Sequence, residues 1–220
     1  TIDFLAPPGG GDDQIGDDDY KSLIIELRNV SLRDENLEFP DVLGAAYEYM
    51  IKHFAESSND KGGEFYTPRE VVRMMVRLLD PRNGDSVYDP TSGSAGMLIH
   101  SYQHALLSGN ADNIMLYGQE KNGMAWAISE INMVFHSIPS TNYQLSRGDT
   151  LRTPRFKRIG GQIQTFDRII ANMPFSMDYN EDLIDYRSRF PHGYPPVSNA
   201  DWLFIQHMIA SLNAGGRIVT

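Results

Sequence analysis

The sequence predicts an α/β fold with a doubly wound, mostly parallel sheet and an N-terminal helical lobe, and two observations predict it. From residue 67 onwards, short apolar runs of strand length alternate with segments of helical period, as in parallel sheets covered by helices on both faces. Helical patterns without strand patterns mark residues 20–60, and residues 1–60 are acidic, with 14 acidic and 4 basic side chains, whereas the remainder carries 15 of each. The length of 220 residues suits one such domain with a helical lobe.

The N-terminal part divides into a tail and a helical segment. Residues 1–19 are rich in Gly, Pro and Asp and poor in large apolar side chains, which predicts an acidic tail or linker. Residues 20–62 are predicted to form part of the helical lobe, with helices over Tyr20–Arg28 and Pro40–Phe54. The sheet domain is predicted over 63–220. Because the last residues read as the start of a strand, we expect a fragment whose C-terminal strands are missing.

The first helix of the sheet domain has a sequence signal at each end. Thr67 and Glu70 have the spacing of a capping box, and Pro68 between them suits the first helical position. Apolar residues then recur at helical spacing as far as Leu79, and Asp80 and a proline follow. We therefore predict a helix that starts after Thr67 and ends at Leu79.

The later elements are predicted from the same alternation. In chain order they are a strand at Ser86–Tyr88, a helix at Ala95–Leu107, a strand at Ile114–Tyr117, a helix at Gly123–Phe135, a weaker strand near Tyr143–Leu145, a strand at Phe166–Ala171, a helix at Ala200–Leu212 and a strand from Arg217. Ligands of open parallel sheets bind at the carboxyl ends of the strands. The residues that follow each strand are therefore the candidates for a functional site.

The turn after the first strand is made of small residues. Asp89 is followed by a proline and then by Thr91, Ser92, Gly93 and Ser94, which allow a tight turn and a close approach of backbone to ligand. The turn lacks the Lys-Ser/Thr of a phosphate-binding loop and the three-glycine dinucleotide pattern. It indicates a ligand other than a pyrophosphate, or an ordinary strand-to-helix turn.

Single carboxylates follow the next two strands. Glu120 at the second strand end could accept hydrogen bonds from both hydroxyls of a ribose, or could be a solvated loop residue. Asp149 after the weak third strand could accept from an exocyclic amine such as adenine N6, or could cap a turn.

The fourth strand ends in Asn172, Met173, Pro174 and Phe175. The asparagine oxygen and a neighbouring backbone carbonyl can both accept hydrogen bonds from an exocyclic NH₂ group, which would orient its lone pair. The ring of Phe175 could stack on a planar base. The alternative is an Asx-type turn next to a core phenylalanine.

Together, these four strand ends resemble the S-adenosylmethionine-dependent amino-methyltransferases of DNA. The closest resemblance is to the N6-adenine methyltransferase (modification) subunit of type I restriction–modification systems. Residues 63–69, Gly-Glu-Phe-Tyr-Thr-Pro-Arg, resemble that family's signature ahead of the catalytic sheet, and residues 43–49 resemble its helical lobe. The resemblance runs from about residue 40 to the end and implies a Rossmann-like catalytic core.

The resemblance also implies roles for individual residues. The residues that would border or hold S-adenosylmethionine are Glu64, Phe65, Tyr66, Thr67, Pro68, Arg69, Asp89, Thr91, Ser92, Gly93, Ser94, Glu120 and Asp149. Among them, Glu120 would hold the ribose and Asp149 would lie beside the adenine ring. Asn172 and the carbonyl of Met173 would accept from N6 of a flipped target adenine, with Pro174 completing the motif and Phe175 stacking on the base.

The implied partners are DNA and the DNA-reading specificity subunit, with a restriction subunit and a second modification subunit as further members of the complex. A cytoplasmic location is expected, because the chain has no cysteine and no segment that reads as a signal peptide or membrane span. The histidines show no metal-ligand pattern, so no metal is expected. Neither half of the chain is basic overall, so other subunits are expected to make many of the contacts with DNA.

Two residues depart from the family pattern. Met173 stands where the family has a proline, which keeps the backbone carbonyl but loses the fixed φ of that proline. Pro174 still favours an extended conformation at Met173, so the site is expected to be weakened but retained. Ala95 stands where glycine is common, and its methyl group is expected to be tolerated.

Other functions stay open at this stage. The chain could be a non-catalytic cofactor-binding or interaction subunit derived from a methyltransferase. Cytosine N4 is an exocyclic amine that similar motifs meet, so a cytosine-N4 methyltransferase is a second alternative. An unrelated nucleotide-dependent enzyme is a third, although the missing three-glycine pattern argues against it.

Overall fold

The computed structural model describes Tyr49 and residues 67–220. The predicted tail 1–19, the helix Tyr20–Arg28, the helix Pro40–Phe54 except Tyr49, and the cofactor candidates Glu64, Phe65 and Tyr66 lie outside the described residues. Those assignments stay predictions. Tyr49 itself is helical and its side chain is exposed.

Helices and strands follow one another along residues 67–220. The helices are α1 (Arg69–Leu79), α2 (Gly96–Leu107), α3 (Gly123–Phe135) and α4 (Asp201–Ala210). The strands are β1 (Ser86–Asp89), β2 (Met115–Glu120), β3 (Tyr143–Arg147), β4 (Phe166–Ile170) and β5 (Leu212–Val219). They form one parallel sheet in the order β3-β2-β1-β4-β5, which confirms the predicted doubly wound, Rossmann-like fold.

Each face of the sheet carries its own apolar layer, because successive residues of a strand point to opposite sides. Val87 of β1 and Ile170 of β4 belong to the layer that contains the buried residues of α1 and α2. Their neighbours Tyr88 and Ile169 belong to the second layer, which includes Leu203 of α4. Both layers pack against the central strands, so the apolar residues of β1 and β4 are buried on both faces.

The strand order places a topological switch point between β1 and β4. From β1 the chain moves outward through β2 to β3, and it then returns to β4 on the other side of β1. Because all strands are parallel, their carboxyl ends lie along one edge. Asp89, Glu120, Arg147 and Ile170 end the first four strands there, which is where open α/β sheets bind ligands.

The capping box predicted at Thr67 is wrong. The N-cap of α1 is Pro68, and no side chain caps the helix. The Thr67 hydroxyl instead accepts a hydrogen bond from Nδ2 of Asn172 at 3.1 Å. A tertiary partner has therefore replaced the local one that the sequence pattern indicated.

The last strand begins five residues earlier than predicted. The sequence placed a loop before Arg217, whereas β5 starts at Leu212. Phe166 pairs with Leu212 and Arg168 pairs with Arg217, so pairing continues across an irregularity that contains two glycines. Gly215 there has a φ of 79°, which glycine adopts without strain.

No helix in the part of the chain that the structure describes is long and apolar enough to cross a membrane. Within the same residues, no group of three or more acidic or histidine side chains is arranged to hold a metal ion.

Gly118 of β2 gives a test of this packing. A Cβ atom there would lie 2.6 Å from Cδ2 of Leu145 and 3.0 Å from both Cδ1 of Leu98 and Oγ of Ser92. We expect Gly118→Ala to lower the free energy of unfolding by about 1–2 kcal/mol in urea denaturation, because buried neighbours must move.

The matched control is Gly96→Ala at the start of α2. A Cβ atom there meets nothing within 4 Å and φ is not positive. We expect this variant to stay within about 1 kcal/mol of wild type. Equal stability of the two variants would contradict the close approach at Gly118.

Candidate active site

The loop after β1 turns through two left-handed residues. Gly93 has a φ of 51° and Ala95 a φ of 66°. Glycine adopts this conformation freely, whereas a residue with a Cβ pays about 1–2 kcal/mol. Ala95 is fully buried at the N-cap of α2, so its methyl group fits the packing in spite of this strain.

Neighbouring elements hold the same loop from two sides. Nδ2 of Asn132, a buried residue of α3, donates to the Ser94 carbonyl at 2.9 Å. The Ser92 amide donates to the Gln119 carbonyl at 3.1 Å. Asn132 was not identified from the sequence, where it reads as one polar residue within an apolar helix. The loop is thus fixed by contacts with α3 and β2.

Asp89 is a buried carboxylate at the end of β1. Its Oδ1 accepts from the Thr91 amide at 2.9 Å, and the side chain is almost inaccessible to solvent. Burial raises the pKa of Asp89 to about 7, the Thr91 amide opposes that rise, and the negative charge of Glu120 adds to it. A carboxyl group with a strongly raised pKa in a ligand-binding edge is typical of functional sites.

Glu120 joins the loop after β1 to the start of α3. Its Oε2 accepts from the Gly93 amide at 2.9 Å and its Oε1 accepts from the Asn122 amide at 2.7 Å. The side chain is partly exposed. A carboxylate oriented by two backbone amides at this position has lone pairs to offer to hydroxyl groups of a ligand.

Asp149 performs the turn-capping role that was the alternative for it. Its Oδ1 accepts from the amides of Leu151 and Arg152 at 3.0 and 3.1 Å. Its Oδ2 pairs with Nζ of Lys121 at 3.0 Å. These bonds fix the loop after β3, and a contact between Asp149 and an adenine ring stays a prediction.

Two further polar residues tie the loops together and were missed in the sequence. The Thr150 hydroxyl donates to the carbonyl of Pro90 at 2.6 Å, which joins the loops after β3 and β1. Gln119 is fully buried, and its Nε2 donates to the carbonyls of Gly148 and Thr153 at 3.1 and 3.0 Å. The only sequence signal was their adjacency to Asp149 and Glu120.

Asn172 stands immediately beyond β4, across the switch point from the loop after β1. Its side chain is exposed, and its Nδ2 donates to Oγ1 of Thr67 at 3.1 Å. Its carbonyl accepts from Oγ1 of Thr91 at 3.5 Å. With Nδ2 turned to Thr67, Oδ1 has no hydrogen-bond donor among the described residues. The amide therefore presents an acceptor to the edge of the sheet.

The residues after Asn172 differ in how far their side chains are buried. Met173 is buried in the apolar layer next to α4, and Pro174 is half-buried. Phe175 is 72% exposed, which excludes the core phenylalanine that was the alternative reading of this motif. Ser176 has a φ of 53°, and its amide donates to Oδ1 of Asp201 at 2.9 Å. The start of α4 thus holds the turn that exposes the aromatic ring.

A cavity of about 490 Å³ lies between the start of α1 and this motif. It brings together candidates that are far apart in the sequence, because it joins residues from positions 67–75, 171–175 and 220. The lining residues are Thr67, Pro68, Val71, Met74, Met75, Ala171, Asn172, Met173, Phe175 and Thr220. Most of them are apolar, so the lining suits a flat, weakly polar group with a few polar contacts.

The candidates thus fall into two adjoining groups. Asp89, Thr91, Gly93 and Glu120 are linked by hydrogen bonds at the ends of β1 and β2, while the cavity residues surround Asn172. The hydrogen bond from Thr91 to Asn172 connects the two groups. Arg69 lies in the first turn of α1 with an exposed side chain.

Comparison with known proteins identifies the family of this chain. Residues 38–220 match the model of the N-6 DNA methylase family. The chain is 38% identical over 178 residues to the methylase subunit of the type I restriction enzyme MjaVII of Methanocaldococcus jannaschii. That match covers 77% of this chain and 30% of the relative.

Two further comparisons give the same result. The chain is 33% identical over 181 residues to the HindI methylase subunit of Haemophilus influenzae, covering 81% of this chain and 39% of the relative. A crystal structure of a type I restriction–modification methyltransferase subunit from Streptococcus thermophilus superposes with a TM-score of 0.75 at 26% identity, covering 91% of this chain and 42% of that one. The chain therefore spans well under half the length of the relatives it matches.

Proposed function

This chain belongs to the N-6 DNA methylase family, and from that premise we propose that it transfers a methyl group from S-adenosylmethionine to N6 of adenine in DNA. We propose further that it does so as the modification subunit of a type I restriction–modification complex. The observation that carries the proposal is the position of Asn172. It lies at the switch point, beside an exposed aromatic ring and an apolar cavity, and its Oδ1 receives no hydrogen bond from the described residues.

The residues at the ends of β1 and β2 fit S-adenosylmethionine by the chemistry of their donors and acceptors. The ligand has vicinal ribose hydroxyls, an ammonium group and a sulfonium group. Glu120 offers carboxylate lone pairs to the hydroxyls, and the buried Asp89 places a second carboxylate at the adjoining strand end. Thr91, Ser92, Gly93 and Ser94 form the tight turn against which the methionine end would lie. When bound, the cofactor supplies an electrophilic methyl group.

The residues after β4 fit an adenine that has been turned out of the DNA stack. Oδ1 of Asn172 and the carbonyl of Met173 accept from the two N6 hydrogens, which aligns the nitrogen lone pair. Phe175 would stack on the flat base, and the mostly apolar cavity would receive it. The methyl group would pass from the sulfonium sulfur to N6 as the S–C bond breaks, and the proton that N6 loses would pass to solvent water. Positioning supplies most of the rate, because no acid or base of the protein must act.

The proposed partners are DNA, a specificity subunit, a restriction subunit and a second copy of the modification subunit. DNA binding is supported by five exposed basic side chains in and after β3: Arg147, Arg152, Arg155, Lys157 and Arg158. Arg147 ends β3 at the carboxyl edge of the sheet, whereas Arg158 contacts Thr165 just before β4, at the opposite edge. These side chains would contact phosphates, and such contacts do not distinguish one DNA sequence from another. Reading of the DNA sequence is assigned to the specificity subunit.

The test of the cofactor site is calorimetric titration of S-adenosylmethionine into wild type and Glu120→Ala. We expect wild type to bind and Glu120→Ala to bind at least about tenfold more weakly, because a charged acceptor of the ribose is lost. The matched control is Asp112→Ala, which removes an exposed carboxylate at the opposite edge of the sheet and should leave the affinity unchanged.

Each negative result has its own meaning. Wild-type affinity in Glu120→Ala would refute the assignment of the ribose to that side chain. A folded wild-type chain that binds no S-adenosylmethionine would refute the cofactor proposal as a whole.

A further inference from the structure

Arg189 is a buried cation that the proposed chemistry does not use. It is the last residue of a short 3₁₀ turn, Arg187–Arg189, which lies downstream of the catalytic motif in the sequence. Its side chain is only 3% exposed. Burial lowers the pKa of Arg189 to about 10 in spite of the surrounding negative groups. Burying a guanidinium group is costly, so the contacts that it makes there require an explanation.

The guanidinium group is held mainly by backbone carbonyls. Nη1 donates to the carbonyl of Thr150 at 2.8 Å, and Nη2 donates to the carbonyls of Leu151 and Asp185, the latter at 3.2 Å. Two of these three carbonyls belong to the loop after β3. The planar fork of arginine, with donors at fixed angles, suits several carbonyls at once in a way that lysine does not.

A directed chain of hydrogen bonds leads onward from Arg189. Nη1 also donates to Nδ1 of His207 at 2.9 Å, so the proton of this imidazole must be on Nε2. Nε2 then donates to the hydroxyl oxygen of Tyr88 at 3.1 Å. Burial and the nearby Arg189 charge hold the pKa of His207 well below its ordinary value, so the ring is neutral.

This series ends at β1, because Tyr88 is the residue before Asp89. A second path starts at the carbonyls of Thr150 and Leu151, which accept from Arg189 directly. The Thr150 hydroxyl donates to the carbonyl of Pro90 at 2.6 Å, and Pro90 lies between Asp89 and Thr91. Arg189 is therefore connected to α4 and β1 by one path and to the two loops assigned to the cofactor by the other.

We propose that Arg189 is a positioning residue that couples the cofactor loops to residues 177–200, the segment that follows the catalytic motif. This inference rests on the proposed function. Without touching either ligand, Arg189 fixes the loops after β1 and β3 relative to each other and holds its own segment against them. Binding of S-adenosylmethionine to those loops stabilises residues 177–200, which would lie beside the target base. Without the guanidinium group of Arg189, cofactor binding no longer stabilises that segment.

The test uses S-adenosylmethionine affinity together with hydrogen exchange of residues 177–200, measured with and without the cofactor. The variants are Arg189→Lys, which keeps the charge but loses the fork, and Tyr88→Phe, which removes only the hydroxyl that accepts from His207. The control is Arg187→Lys in the same turn, where Nη2 donates to the Glu181 carbonyl and the side chain is exposed.

We expect the cofactor to slow exchange in residues 177–200 of wild type and of Arg187→Lys. In Arg189→Lys that protection should be lost and the affinity should fall about tenfold, and Tyr88→Phe should change both in the same direction by a smaller factor. A purely structural residue would lower stability and leave the cofactor-dependent protection in place.

The outcomes separate this inference from the proposed function. Tyr88→Phe and Arg189→Lys proteins that fold and keep wild-type protection would overturn the coupling alone. If Arg189→Lys fails to fold, Tyr88→Phe decides the matter by itself. A wild-type chain that binds no S-adenosylmethionine would overturn the proposed function and the coupling with it.

Discussion

Replacing Asn172 with alanine is expected to reduce methyl transfer by at least about a hundredfold while the affinity for S-adenosylmethionine stays within about twofold of wild type. The side chain supplies the acceptor Oδ1 that orients the target amine, and it lies beyond the loops assigned to the cofactor. Its loss leaves the amine free to rotate its lone pair away from the methyl group. The measurement is single-turnover transfer of labelled methyl groups to DNA, together with calorimetric titration.

The control for this variant is Asn113→Ala, which removes an exposed amide before β2, at the opposite edge of the sheet. It should leave both transfer and binding unchanged. Thr67→Val is a useful companion, since it removes the hydroxyl that accepts from Nδ2 of Asn172 and should give a smaller loss of transfer. A folded Asn172→Ala protein with wild-type transfer would contradict the catalytic assignment.

The second large effect is on stability and its pH dependence, through Asp89. The folded-state pKa of about 7 lies above the ordinary 3.8. Between these values the unfolded chain has lost the proton and the folded chain retains it, so stability falls as pH rises from about 4 to about 7 and is level above that. At about 1.4 kcal/mol per pH unit, the full loss is about 4 kcal/mol.

Asp89→Asn isolates this effect, because asparagine keeps an oxygen that can accept from the Thr91 amide and cannot ionise. We expect the variant to match wild type near pH 4 and to exceed its free energy of unfolding by up to about 4 kcal/mol near pH 8, in urea denaturation without ligand. Asp112→Asn, an exposed carboxylate, should follow wild type at both values. Parallel pH profiles of Asp89→Asn and wild type would show that the Asp89 pKa is not raised.

A carboxylate that destabilises the ligand-free fold is informative about function. Burial and the negative charge of Glu120 destabilise its charged form by more than the hydrogen bonds from Thr91 stabilise it. A cationic ligand at the same strand end would offset that cost. The proposed cofactor carries an ammonium and a sulfonium group, so we expect the more stable Asp89→Asn to bind it less tightly.

Much of the fold follows from local sequence patterns. The helices at Gly123–Phe135 and Arg69–Leu79 and the strand at Phe166–Ile170 were predicted to within a residue or two, since apolar period and turn residues agree there. The observed strand order places Asp89 and Asn172 at the same edge of the sheet. The sequence analysis selected both because each follows a predicted strand.

The errors have physical causes that a local pattern does not contain. Thr67 was predicted to cap α1, but it accepts from Asn172, 105 residues further along the chain. β5 was predicted to start too late, because its pairing continues across an irregularity with two glycines.

The series from Arg189 through His207 to Tyr88 could not be predicted from the sequence for the same reason. Tyr88 and His207 meet only because β1 and α4 pack together, and their side chains read as an ordinary strand aromatic and an ordinary helix residue. Such networks depend on tertiary packing, so they appear only when the strand order and the loop positions are known together.

The most direct test of the central claim is identification of the methylated nucleoside. The chain, reconstituted with its specificity subunit and DNA, would be supplied with labelled S-adenosylmethionine, and the DNA would be digested and analysed by mass spectrometry. The account predicts N6-methyl-2′-deoxyadenosine carrying the label, and none with Asn172→Ala. Labelled N4-methylcytosine, or no labelled nucleoside from a complex that binds both DNA and cofactor, would contradict it.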